Sequence, residues 1–325
     1  MPADARPEIS GRASAPSKQP YRAPHGPPHR GFERDPHRSG RMTKRSAFGR
    51  TSADYSTELR IFDHAKSPFP GETAGRNASP TKPGMKSYKA RGVVLHTIKY
   101  GDSSMVVYLL TDTGGRQSYM VQGVRSSRGR GSKLALFQPM FALEFEGLES
   151  PRMQLHRMRD VRNGIVLQSL PFDVRKSTIA LFMAETLYRL VRESEPDGPL
   201  FDFVWGSVAA LDALTEGIAN FHLWFLSNLS RFLGFSPGND YLPDAWFDIR
   251  EGIYTPSRPA HDEALSRDDA CILHDMLECD VRCIAEIGLN RRQRVAYLDA
   301  LLTYYGYHLD AIHAVRSVGI LQEVF

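Results

Sequence analysis

The chain has 325 residues and a formal net charge of +4, a length sufficient for two ordinary domains. The charge is unevenly divided: residues 1–84 hold 15 Lys/Arg against 8 Asp/Glu, residues 85–165 hold 13 against 6, and residues 166–325 hold 13 against 23. No apolar run approaches a membrane span, the start lacks a signal-peptide core, and three cysteines in one segment (Cys271, Cys279, Cys283) make no disulfide framework. The expectation is a cytoplasmic protein in a reducing compartment, without membrane contact.

Residues 1–84 carry 12 of the 21 prolines and few aliphatic side chains. Such a segment buries too little apolar surface to offset chain entropy, so disorder is expected. Met85 follows Pro83-Gly84 and opens directly onto the first strand, which leaves a second reading in which translation begins there. Glu33, Asp35 and Asp54 argue against an organelle transit peptide.

Residues 85–165 read as β-structure. Tyr88–Ile98 and Met105–Thr111 are the first strands, Asp112–Gly115 a glycine turn, and Arg116–Val124 a third strand. Phe141, Leu143 and Phe145 alternate with Ala142, Glu144 and Glu146, the pattern of a half-buried strand, and Arg152–Arg159 follows a Gly147–Pro151 turn. Five strands with a long break between the third and fourth predict a small closed barrel.

From Asp173 the hydrophobic period becomes helical. Asp173 is a candidate N-cap for a helix with the stripe Ile179, Phe182, Met183, Leu187, Leu190 and Val191. Phe201–Leu214 is a second helix, and Asn220–Leu233, apolar nearly all round, is the expected buried helix, stopped by Gly234. Ser236–Pro259 reads as loop. Ser266 and Asp269 resemble a capping box opening a helix through Met276. A last long helix starts near Asn290, with Leu298, Leu302, Tyr305, Leu309 and Ile312 along one face. The fold class is therefore α+β: residues 85–165 a barrel, residues 166–325 a helical bundle.

The strongest candidate site is the segment that follows the third strand, where Arg125, Arg128, Arg130 and Lys133 are interleaved with glycine and serine. Phosphates need cations on a backbone that permits close approach, and small residues between arginines provide it. Lys89, Arg91, Lys99 and Arg116 are strand cations that extend the same surface. Tyr108 and Tyr119 are read first as barrel core and second as base-stacking platforms. Arg291, Arg292 and Arg294 at a helix start oppose the macrodipole, which suggests a site for an acidic peptide.

Cys271, His274, Cys279 and Cys283 lie along one predicted helix. Four groups on a straight helix cannot wrap a tetrahedral ion, so no metal is expected and the cysteines are read as small buried hydrophobes. No Walker loop, dinucleotide fingerprint, HExxH or Gly-x-Ser-x-Gly elbow is present. The acidic pairs Asp268-Asp269 and Asp262-Glu263 leave a Mg²⁺-dependent nuclease as a third class of reading, behind helix capping. The expected protein is a nucleic-acid binder with no catalytic residues and no cofactor.

Val94-Leu95-His96, Asp102-Ser103-Ser104, Thr111 with Gly115-Arg116, Gly123-Val124-Arg125-Ser126 and Leu136-Phe137-Gln138-Pro139 follow one another through the strand block. Leu301-Leu302-Thr303-Tyr304-Tyr305 with His308, Arg316-Ser317 and Leu321-Gln322-Glu323-Val324-Phe325 close the chain. In this order and spacing, residues 85–325 resemble the RecO family of bacterial recombination mediators. The resemblance implies an N-terminal OB-fold and a C-terminal helical domain. It also implies binding of single- and double-stranded DNA, annealing of complementary strands, and work with RecR to load RecA onto strands coated by single-strand-binding protein, whose acidic C-terminal tail family members engage. Arg116 and Arg125 stand within matching motifs and are carried over as DNA contacts. Many members hold zinc with four cysteines after the buried helix; Ser236–Pro259 contains none here, so no zinc is expected, and Trp246, Phe247 and Tyr254 are candidates to stabilise the loop by packing. The alternative reading is a general OB-type binder, RNA included, without mediator activity.

Overall fold

The computed structural model describes residues 87–124, 133–148 and 155–325. The expectations for residues 1–84 lie outside the described residues, as do those for Arg125, Arg128 and Arg130.

Five strands form a closed barrel: β1 (Ser87–Tyr100), β2 (Ser104–Thr111), β3 (Gly115–Val121), β4 (Ala142–Leu148) and β5 (Leu155–Asn163). Their order is β1-β2-β3-β5-β4, closing on β1. All pairs are antiparallel except β3 with β5. This is the OB-fold topology. Closure depends on β1, whose 14 residues are long enough to pair with β4 along its first half and β2 along its second. A register shift between Val94 and His96 bends it from one partner to the other. Val93, Val107, Leu109, Tyr119 and Leu143 are buried in the interior. Tyr119 thus belongs to the core, its hydroxyl satisfied by that of Tyr88 at 3.0 Å. The third strand is shorter than predicted: Gly123 takes φ +68° and the Val124 N–H turns to the Ser103 carbonyl. The fifth runs further, to Asn163, past Asp160 at φ 52°.

The helical half comprises α1 (Val174–Leu190), α2 (Gly198–Ala213), α3 (Phe221–Phe232), α4 (Arg267–Glu278), α5 (Arg291–His308) and α6 (Ser317–Val324). Asp173 caps α1 by accepting from the Arg175 N–H, and Asp197 caps α2 from the Leu200 N–H. Ser266 caps α4, but Asp269 is too short to reach back to the backbone and instead accepts the Ser266 hydroxyl at 2.7 Å. Every residue from Phe221 to Ser230 of α3 is buried. Its polar groups are used for stapling: Asn228 Nδ2 donates to Met276 O, Trp224 Nε1 to Cys279 O, and Leu226 O accepts from the Tyr305 hydroxyl. An apolar helix thereby fixes the position of α4 and α5 through directional bonds.

Three expectations are corrected. Ser236–Pro259 is not simply loop; it holds β6 (Trp246–Asp248) and β7 (Ile253–Thr255), which with β8 (Ala264–Leu265) form a three-stranded sheet in the order β7-β6-β8. Strands of two or three residues leave no readable period. The last long helix ends at His308, and a 3₁₀ turn (Asp310–Ala314) leads to the separate α6, whose first N–H groups at Arg316 and Ser317 are accepted by Glu185 of α1. The cysteines do not share one helix: α4 stops at Glu278, Cys279 is its C-cap and Cys283 lies in a 3₁₀ turn. None is a buried hydrophobe, for Cys271 and Cys279 are half-buried and Cys283 is exposed.

The link from barrel to helices is clamped by Asp212 in the last turn of α2. Its carboxylate accepts the N–H groups of Gln168, Ser169 and Leu170, at 2.7–2.9 Å for the shortest bond of each. Lys176 Nζ reaches the Asp212 carbonyl and Ser169 Oγ, both at 2.7 Å. Burial alone would raise the Asp212 carboxyl, but these donors outweigh it and hold it below the ordinary aspartate range. The clamp is therefore complete above the unfolded-state value of about 3.9 and fades as pH falls through the lowered folded one. Asp212→Asn should cost about 1–2 kcal/mol at pH 7, the range for hydrogen bonds to a charged acceptor discounted for partial exposure. Urea unfolding at pH 7 and near pH 2 checks this, and the gap from the parent chain should narrow at the lower pH.

Candidate nucleic-acid interface

The basic strand positions are distributed over two barrel surfaces and the seam with the helices. Arg91 and Arg116 are in the seam. The Arg91 Nε donates to Asp112 Oδ2 at 3.0 Å, its backbone N–H donates to the other oxygen, and its guanidinium lies 5.1 and 5.4 Å from the Phe201 and Trp205 ring centres of α2. Arg116 Nη1 donates to Tyr188 O of α1 at 2.7 Å, and its guanidinium lies 5.4 Å from the Tyr188 ring centre. Alongside, the Arg116 N–H donates to Glu193 O, and the His96 and Tyr108 rings pack on Tyr188 at 4.5 and 5.2 Å. Gly115 sits at φ +58°, and a Cβ there would fall 2.2 Å from Glu195 O, so only glycine lets the β2–β3 turn pass under that chain.

Lys89 is exposed on β1, opposite Glu146 of β4, which is opposite Arg159 of β5. Arg159 clasps Glu146 with two bonds, of 3.0 and 2.7 Å, and Arg162 holds Glu144 at 2.6 Å. The Arg159 guanidinium and the Ser87 hydroxyl hold the Glu146 carboxyl below the usual range. On this β1–β4–β5 surface each carboxylate faces cations of adjacent strands, so the excess positive charge is small.

Lys99 is exposed near the end of β1, beside the turn Gly101–Ser103. That turn receives the Val124 N–H on the Ser103 carbonyl at 2.9 Å. Val124, the residue before Arg125, is therefore held at the tip of the β1–β2 hairpin. Lys133 opens a 3₁₀ turn (Lys133–Phe137) that leads back to β4. Arg157 of β5 is exposed and makes no ion pair among the described residues. It is not among the strand cations expected from sequence, although the alternation Arg157, Arg159 within a strand was a signal for one basic face.

In the helical half, Arg291, Arg292 and Arg294 stand at the start of α5 as expected, but they do not converge as three open cations. Arg291 Nη2 donates to Gln322 O at 2.6 Å and Arg294 Nη1 to Leu289 O. Arg294 is half-buried, whereas Arg292 is exposed. The helix terminus is already closed by a capping box, Asn290 Oδ1 accepting from Gln293 N and Gln293 Oε1 from Asn290 N. Beside it, burial together with Arg294 pushes the His222 imidazole down to about 3, leaving a neutral ring stacked on Phe325.

The site of the cysteine zinc cluster found in many members does not fit that ion here. Residues 236–259 contain no cysteine. The sheet is held by packing, with Phe247 and Tyr254 buried and their rings 5.1 Å apart. Asp248 ties the β6–β7 turn by accepting from the N–H groups of Arg250 and Glu251, and His261 Nε2 lies 3.1 Å from its other oxygen. Among the described residues no group of three or more His, Cys, Asp or Glu side chains is placed to hold a metal ion.

A closed OB barrel joined by a fixed seam to a helical module defines a class of two-part OB proteins. No helix among the described residues is long and apolar enough to cross a membrane. Residues 85–164 match the family described as Recombination protein O N terminal, and residues 171–316 match Recombination protein O C terminal. The chain is 37% identical over 239 residues to the DNA repair protein RecO of Bacteroides fragilis, which covers 73% of this chain and 98% of that one. Similar proteins of that name from Phocaeicola vulgatus (35%) and Porphyromonas gingivalis (31%) also cover 73% of this chain and 98% of their own. The chain belongs to the RecO family of DNA repair proteins.

The seam placement of Arg91 has a measurable consequence. Arg91→Ala should lower stability by about 1–3 kcal/mol by removing the aromatic and carboxylate interactions. Arg91→Lys should recover little of it, because an ammonium cannot both lie flat on Phe201 and Trp205 and meet Asp112. Chemical denaturation of the three proteins reads both effects.

Proposed function

We propose that this protein is a non-enzymatic mediator of recombinational repair. It binds single- and double-stranded DNA through the barrel and anneals complementary strands. With RecR, it helps RecA replace single-strand-binding protein on single strands. The observation that carries this reading is that Val124, which the cationic stretch with Arg125, Arg128, Arg130 and Lys133 follows in sequence, is held at the tip of the β1–β2 hairpin. Lys99 is exposed at the end of β1 and Arg157 on the outer face of β5, and family membership supplies the biological setting. Lys89 belongs to the charge-balanced surface and contributes at longer range. In our reading Arg91 and Arg116 act by fixing the seam.

The mechanism is electrostatic. Cations on a small-residue backbone take phosphates and release counterions, without reading sequence. Two strands held on one basic surface meet at a raised local concentration, which favours pairing. The helical half, rich in acidic residues, docks proteins rather than DNA. For the acidic tail of single-strand-binding protein we retain the start of α5, with Arg292 as its exposed cation.

The test is strand annealing without ATP or metal. The full chain should pair complementary labelled oligonucleotides rapidly at low salt. Changing Arg125, Arg128, Arg130 and Lys133 to Glu should slow pairing at least about tenfold, and high salt should do the same to the parent. Tight DNA binding without annealing would favour a passive OB-type binder. Mg²⁺-dependent cleavage would favour a nuclease.

A further inference from the structure

The start of α5, our proposed seat for an acidic tail, lies under the last turn of α6. Gln322 O takes the Arg291 guanidinium at 2.6 Å, and the Phe325 ring stacks on His222 of α3 with 5.6 Å between ring centres. Beside that ring a cavity of about 10 Å³ remains, with His222, Arg294, Val295 and Leu298 among its walls. Such a space holds at most one water. Two of these residues bury a nitrogen, His222 Nδ1 and Arg294 Nε, that has no hydrogen-bond partner among the described residues. A guanidinium nitrogen is always a donor, so at Arg294 the covered state leaves a donor unmet, at a cost in stability. The covering helix is itself weak. It has eight residues, too few to be stable alone in water. Glu185 holds its first turn and buried Leu321 its middle. Beyond Leu321, the Arg291 bond and the Phe325 ring hold the last turn.

We propose that the last turn of α6 is an intramolecular cover on the acidic-peptide site, which an incoming peptide has to lift. The proposal rests on the reading of α5 as that site and adds its regulation. The cover has the make-up of an acidic peptide with an apolar anchor, for Glu323 is exposed and Phe325 is buried. A peptide that lays an apolar side chain on His222 and a carboxylate at Arg294 replaces the Phe325 contact and frees Arg291 from Gln322. It also brings the acceptor that Arg294 Nε lacks, and a charged acceptor makes the stronger bond. Arg292, exposed at all times, offers the first contact. The measured affinity is then the intrinsic affinity reduced by the fraction of molecules that are uncovered.

The experiment measures binding of a labelled synthetic peptide, the acidic C-terminal tail of single-strand-binding protein, to the full chain and to variants whose cooperative unfolding is checked first. Phe325→Ala removes the ring from the cover and should bind the peptide about tenfold more tightly than the parent. Gly319→Ala acts in the opposite direction. Gly319 is exposed within α6 and a Cβ there meets nothing within 4 Å, so alanine strengthens the helix without touching the site. That variant should bind the peptide about fourfold more weakly. Adding Arg292→Glu to Phe325→Ala should abolish the gain. Equal affinity in the parent and both single variants overturns the cover and leaves the peptide site standing. Weaker binding by a folded Phe325→Ala overturns it too, since the ring would then belong to the receptor. No binding by either the parent or Phe325→Ala removes the reading of α5 itself, and the cover with it.

Discussion

The Arg91 guanidinium occupies the point at which the two halves of this molecule are joined. It issues from β1, the strand that closes the barrel on both sides, is oriented by Asp112 at the end of β2, and lies against Phe201 and Trp205 of α2. A cation between two aromatic rings and a carboxylate is directional in a way that apolar packing is not. Arg116 repeats the arrangement nearby with Tyr188, and Asp212 fixes the chain that connects the halves. Two strands of the barrel, β1 and β3, and the linker that follows β5 are thereby pinned to α1 and α2. The seam covers the row of the outer barrel face that holds His96 and Tyr108.

That geometry sorts the positive charge. Of the basic barrel residues, two serve the seam, and Arg159 and Arg162 are matched by Glu146 and Glu144. Among the described residues, Lys99 stays exposed at the end of β1, beside the turn that holds Val124, and Arg157 stays exposed on the outer face of β5. The helical half bears more Asp and Glu than Lys and Arg, which disfavours phosphate contact there and suits it to other partners. The division of charge along the chain is what the proposed division of labour between the halves requires, since a polyanion is attracted only to a surface with unmatched cations.

The fold was legible where its determinants are local. The alternation of Phe141, Leu143 and Phe145, the glycine turn at Asp112–Gly115, the caps at Asp173 and Ser266 and the helix start near Asn290 all operate over a few neighbouring residues, and each is found in place. The small sheet of residues 246–265 was not legible, because its strands are too short to repeat and are held by Phe247 and Tyr254 across the chain. The roles of Arg91 and Arg116 were hidden for another reason. A strand arginine reads as an open cation until the partner ring, 72 residues or more away, is known. The same holds for Arg291 and Arg294, whose carbonyl partners are set by the backbone path of α5 and α6.

The central claim is that phosphate capture belongs to the cationic stretch that follows Val124. The most direct measurement is the slope of the logarithm of single-strand affinity against the logarithm of salt concentration. It would be taken for the full chain and for a variant with Arg125, Arg128, Arg130 and Lys133 changed to Gln. Each phosphate-binding cation removed should flatten the slope by about 0.7, so removal of four should flatten it by about 3. A slope that does not change, in a variant that remains folded, would contradict the account and move the phosphate site elsewhere on the molecule.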